Sequence, residues 1–76
     1  MPTFSYTVDD EPYTTTAHVL TPIQILQEAK IDPATHYLVL LQGQHQHSYK
    51  DNPNEEIHMH EHMKFIAIST GPTPVS

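Results

Sequence analysis

The chain contains no cysteine, no tryptophan and no arginine, and only two glycines. Without cysteine there are no disulfides, no thiolate zinc sites and no thiol nucleophile, and nothing points to an oxidising compartment. Gly43 and Gly71 stand far apart, so no glycine-rich loop exists to cradle a phosphate. Three lysines face nine Asp and Glu, a formal charge of −6 with His neutral. Nucleic acid and anionic membranes both require a basic face, which this composition does not supply. The expected partners are proteins, in particular ones with basic patches. The longest apolar run, Tyr37 to Leu41, suits a strand and falls far short of the roughly 18 to 20 residues of a membrane helix. The start of the chain lacks the basic and apolar stretches of a signal peptide, so a cytoplasmic location is expected.

What is present fits one small domain. Seventy-six residues, 37% of them hydrophobic and 16% charged, can fold but bury only a small core. Such a chain has no room for an interdomain active site or a large cofactor. Ser, Thr, His and Asp occur, but without nucleophile-elbow glycines, and the chain is expected to be neither an enzyme nor a cofactor carrier.

Thr3 to Val8 alternates, with Phe4, Tyr6 and Val8 on one side, as a half-buried strand does. Asp9 to Pro12 is a turn, and Tyr13 to Val19 alternates again with a β-branched run of Thr; together they predict a hairpin. Thr21 and Pro22 then form a helix start, as N-cap and first helical residue. Ile23, Ile25, Leu26 and Ala29 give the helix an apolar stripe over nine or ten residues, and Ile31-Asp32-Pro33 stops it. His36 to Gln42 reads as a strand apolar on both faces, Gln44 to Lys50 as a short edge strand, and Asp51 to Asn54 as a turn. Glu55 to Met63 has no single period, and Lys64 to Thr70 is a last strand. The fold class is therefore α+β, with a mixed four- or five-stranded sheet packed on one helix. Residues 1–70 form the domain. Gly71, Pro72, Thr73, Pro74, Val75 and Ser76 form a tail that two prolines keep out of any ladder, and it is expected to be flexible.

This order, together with Thr21-Pro22-Ile23-Gln24-Ile25-Leu26, Tyr37-Leu38-Val39-Leu40-Leu41-Gln42-Gly43, His60-Glu61-His62-Met63-Lys64-Phe65-Ile66 and the tail Thr70 to Ser76, resembles the bacterial ubiquitin-like, multiubiquitin-type domain family. The resemblance covers nearly the whole chain and implies a β-grasp (ubiquitin-like) fold. It implies a protein modifier of bacterial ubiquitination-like pathways, several of which are linked to phage defence. The implied partners are an activating (adenylating) enzyme, a conjugating enzyme, a processing or deconjugating peptidase, and target proteins. Gly71 to Ser76 would be the conjugation tail. Unlike ubiquitin, the sequence shows Pro74-Val75-Ser76 where that protein has Gly-Gly, which argues against a thiocarboxylate sulfur carrier and leaves ligation open. The alternative is a non-conjugated interaction adaptor or one repeat of a tandem protein.

Matching Gly43 to the glycine after ubiquitin's third strand turns Val39, Leu41, Ile66 and Ile68 inward. Leu38, Leu40, Phe65 and Ala67 then form an exposed contact patch. The expected core is Phe4, Tyr6, Val8, Tyr13, Ala17, Val19, Ile23, Leu26, Val39, Leu41, Ile66 and Ile68. Seven histidines raise a third possibility. On a strand, His58, His60 and His62 would share a face and could converge on Zn²⁺ or Ni²⁺, but a polar edge alternating with buried Ile57, Met59 and Met63 is the favoured reading.

Overall fold

A computed structural model describes residues 2–70. β1 (Phe4–Val8) and β2 (Glu11–Thr15) form an antiparallel hairpin with Tyr6 opposite Tyr13. Its turn is Asp9-Asp10, with φ of 52° and 68°. A two-residue hairpin turn needs the left-handed region at both positions, and Asp is among the few side chains that tolerate it. The second alternating stretch does not continue to Val19. The Ala17 N–H donates to Thr15 Oγ1 at 3.1 Å, the chain bends, and β3 (Val19–Leu20) starts a separate ribbon.

α1 (Pro22–Glu28) begins as its sequence predicts. Thr21 Oγ1 accepts the Gln24 N–H at 3.2 Å, and Gln24 Oε1 accepts the Thr21 N–H at 2.9 Å, a reciprocal cap. Pro22 occupies the first helical position, and a distant carbonyl, that of Pro53, accepts the Ile23 N–H at 3.2 Å. The helix is shorter than its apolar stripe. Lys30 lies at φ 61°, its N–H donates to the Gln27 carbonyl, and the Ile31 N–H donates to that of Leu26. These two bonds close a Schellman motif before Pro33 is reached.

β4 (His36–Gln42) and β5 (His45–Ser48) form the second hairpin, turning at Gly43 with φ 58°. β6 (Ile57–His58) pairs with β3, so the stretch with no single period supplies a two-residue strand. β7 (Met63–Ser69) is central, parallel to β1 and antiparallel to β4. The mixed five-stranded sheet runs β2-β1-β7-β4-β5, and β3-β6 is a second, two-stranded sheet. Among the described residues no helix is long and apolar enough to cross a membrane.

The core corrects the expected faces. Leu38, Leu40 and Phe65 are 0%, 5% and 1% exposed and pack in one cluster with Tyr6, Val8, Ile25 and Leu26, while Ala67 packs partly buried against it. They are the inner face of the sheet and not an exposed patch. Val39, Leu41, Ile66 and Ile68 take the outer face; of these only Val39 is fully buried. The physical reason is that β4 is apolar on both sides, so alternation assigns pairs of residues without assigning a side. Phe4, Tyr13 and Ala17 are partly buried against the cluster. Ile57, Met59 and Met63 are buried, as the favoured reading of the histidine segment has them, whereas Leu20, Ile25 and Tyr49 are core positions missing from the expected set.

Candidate functional site

β7 and Thr70 end the described residues, and bonds from both sides hold them. The Thr70 N–H donates to the Thr35 carbonyl at 2.8 Å, extending the β4–β7 ladder by one bond. On the other side, the Asp9 N–H donates to the Phe65 carbonyl at 3.0 Å, and Asp9 Oδ1 accepts the Ala67 N–H at 3.1 Å. The hairpin turn thus carries the β1–β7 ladder past the end of β1 by using a carboxylate as a backbone substitute. Gly71, Pro72, Thr73, Pro74, Val75 and Ser76, expected as the conjugation tail, lie outside the described residues.

The outer face of the sheet carries the apolar surface that the inverted assignment placed elsewhere. Tyr37 pairs with Ile68 and Val39 with Ile66, while Leu41 pairs with Lys64. Lys50 Nζ lies 5.8 Å from the centre of the Tyr37 ring, a cation–π distance at the rim of this face. One sequence signal gives the orientation: Lys64 stands two residues before Ile66 on the same side of β7. A lysine is almost never fully buried, so that side faces solvent.

The three candidate ligands do not converge. His58 sits in β6 opposite Val19. The His60 N–H points to Met63 Sδ at 3.2 Å. His62 adopts a left-handed turn at φ 63°, with its N–H donating to the Ser5 carbonyl at 2.8 Å. That turn breaks the alternation that would have aligned the three rings. Among the described residues, no group of three His, Asp or Glu side chains is placed to hold a metal. Three of the four remaining imidazoles have structural neighbours. His36 Nδ1 lies 2.9 Å from Thr35 Oγ1, His18 packs edge-on against Phe4, and His47 lies edge-on to Tyr49 with Nε2 3.9 Å from Glu55.

Two phenols are perturbed. Burial, then the Glu28 carboxylate and Tyr13, raise the Tyr6 hydroxyl above the ordinary phenol range. Burial, then Glu55, does the same to Tyr49. Both shifts favour the neutral phenol, so neither group is activated as a base or nucleophile.

A cleft of about 200 Å³ opens between the start of α1 and the segment after β5, lined by Pro22, Leu26, Pro33, Tyr49 and Pro53 among others. It has room for one side chain but not for a nucleotide. Comparison with protein-family models, curated proteins and solved structures finds no match to this chain.

Proposed function

We propose that this chain is a β-grasp, ubiquitin-like protein modifier, used in a bacterial ubiquitination-like pathway of the kind linked to phage defence. The observation that supports the reading is the sheet order β2-β1-β7-β4-β5, with the last strand central and parallel to the first. One helix follows the opening hairpin, and that strand leads into Gly71 to Ser76. This arrangement is compatible with a β-grasp domain. Fold alone hosts many functions, so the tail carries the assignment.

In this reading the chain contributes a carboxylate and no catalytic side chain. The carboxylate at the end of the mature tail attacks the α-phosphate of ATP on an activating enzyme, releasing pyrophosphate. The acyl adenylate passes to a thiol of the enzymes with release of AMP. A target amine then displaces the thiol and forms an amide. In the sequence, Gly71 is a residue type suited to a pivot, and proline at 72 and 74 fixes φ, which would lower the ordering cost of entering a narrow site. The outer face at Leu41, Ile66 and Ile68 adjoins the strand that feeds the tail, and it would dock on the activating enzyme.

The test is intact-mass and peptide mass spectrometry after mixing the chain with candidate activating and conjugating enzymes, ATP and Mg²⁺. A version lacking residues 71–76 runs beside it. An ATP-dependent adduct equal to the mature chain minus water, absent for the truncation, supports the modifier. A second reading, a non-conjugated adaptor or one repeat of a tandem protein, draws on the Pro74-Val75-Ser76 sequence in place of Gly-Gly. It predicts no adduct with active enzymes and partner binding that survives the truncation.

A further inference from the structure

The two edges of the five-stranded sheet are built differently. β2 forms one edge and β5 the other, and each is the second arm of a hairpin with a two-residue turn. In such a hairpin the residues flanking the turn exchange both main-chain hydrogen bonds, and alternate residues after them turn N–H and C=O away from the partner strand. On β2 the flanking residue is Glu11, opposite Val8, and the next, Pro12, is the first to turn its main chain outward. Proline offers no donor there, and Glu11 beside it adds a charge. Both are devices that keep an edge from pairing with another chain.

On β5 the same two positions are His45, opposite Gln42, and Gln46, opposite Leu41. The far end of the strand fixes the parity, because the Tyr49 N–H donates to the Leu38 carbonyl at 2.9 Å. Counting back by twos, His47 and His45 bond to β4, so Gln46 and Ser48 direct their N–H and C=O groups outward. Among the described residues no strand lies beyond β5 and nothing takes up these groups, and His45 to Ser48 are all exposed. The strand carries no proline, lysine or carboxylate to guard it. It is also pinned in place: Tyr49, just past it, is buried in the core, and the His47 ring packs edge-on to that phenol with 4.5 Å between centres.

We propose that β5 pairs antiparallel, edge to edge, with β5 of a second copy of this chain. The outward groups select this occupant, because Gln46 and Ser48 stand symmetrically about His47. A two-fold axis at His47 sets Gln46 of each copy opposite Ser48 of the other, and both pairs exchange both main-chain hydrogen bonds. An axis at Gln46 would instead set Ser48 against Gln44 in the turn, and one at Ser48 would set Gln46 against Lys50 past the strand's end. The opposed side chains carry no like charges, since Gln meets Ser and His47 meets His47 as the neutral imidazole. The formal charge of −6 on each copy opposes association, but it is screened beyond about 8 Å at physiological salt. So short a ribbon buries far less than the roughly 1,200 Å² of a stable interface, so the dimer is weak and dissociates on dilution. The pairing uses neither residues 71–76 nor the outer face of the sheet. Its failure and the failure of the modifier reading are therefore separate results.

The test is sedimentation equilibrium of the full chain from about 20 μM to about 2 mM at physiological salt, with amide chemical shifts followed over the same range. The mean mass should rise from 8.7 kDa towards twice that value, with shifts moving at His45 to Ser48 and not at Glu11 to Thr15. Gln46→Pro gives β5 the residue that β2 already has at this position. It removes an outward donor and no bond to β4, and should raise the dimer dissociation constant at least ~tenfold. Thr14→Pro removes the outward donor of β2 and should change it less than about twofold. His47→Cys should cross-link on mild oxidation, because opposed residues of a non-hydrogen-bonded pair lie about 4.5 Å apart, within disulfide reach. Gln44→Cys, in the turn, should cross-link at least ~tenfold more slowly. Thermal unfolding of each variant establishes that it folds. A monomer mass throughout, shifts centred on another surface, equal loss from Thr14→Pro, or equal cross-linking at 44 and 47 would each overturn the proposal.

Discussion

The Asp9 carboxylate accepts the backbone N–H of Ala67 at 3.1 Å, joining a hairpin turn to the last strand across 58 positions of sequence. The same residue donates its own N–H to the Phe65 carbonyl, so Asp9 holds two consecutive rungs of β7. Asp9→Ala removes the side-chain bond and adds left-handed strain at φ 52°, with an expected cost of about 1–2 kcal/mol. Asp9→Asn keeps both an acceptor and tolerance of that conformation, and should recover most of the loss. Urea unfolding of the two variants decides this. Equal stability of Asp9→Ala and the parent would show that the bond contributes nothing.

Lys30 closes α1 at φ 61°, a backbone state that costs a lysine and not a glycine. Lys30→Gly is expected to stabilise the chain by about 0.5–1 kcal/mol, visible as a higher midpoint in thermal unfolding. Lys30→Val should do the opposite, because a β-branched side chain fits this region poorly.

The two faces of β4 should respond differently to truncation. Leu38→Ala empties a fully buried site and should cost about 2–5 kcal/mol, a large part of the stability of so small a domain. Leu41→Ala lies on the outer face, half-buried, and should cost clearly less. Chemical denaturation of both variants compares the faces directly. A larger loss for Leu41→Ala would reverse the assignment of inside and outside.

Alkaline stability follows from Tyr6 and Tyr49. Their folded-state ionisation lies above that of the unfolded phenol, near ~10. Their contribution is therefore complete below that pH and is lost as pH rises through the folded value. Tyr6→Phe should leave stability at neutral pH nearly unchanged and flatten its decline above about pH 10. Stability measured by urea unfolding from pH 7 to 11 reads the slope, and an unchanged slope would remove Tyr6 as a contributor.

How much was legible in advance differs by element. Thr21 and Pro22 mark the helix start, and the structure has them as N-cap and first helical residue, with Gln24 adding a reciprocal bond that only the structure revealed. The opening hairpin follows from alternation and turn residues, though its second arm ends at Thr15 and not Val19. The strand at 36–42 follows from a continuous apolar run, and the last strand, expected at 64–70, lies at 63–69. The early end of α1 was not legible, because its two closing bonds depend on Lys30 accepting a left-handed backbone. Nor was the role of Tyr49, which lies just past β5 and enters the core where its N–H donates to the Leu38 carbonyl.

By itself the sequence determined the α+β class, the order of the elements, and the acidic, cysteine-free composition. Capping, turn chemistry and periodicity act within a few residues and need no distant partner. Only the tertiary structure decided which side of β4 and β7 lies under the helix. A period of two says which residues share a face, and contact with Ile25 and Leu26 says which face is buried. The same holds for Tyr6 and Met63, far apart in the chain, which become neighbours because β1 pairs in parallel with β7.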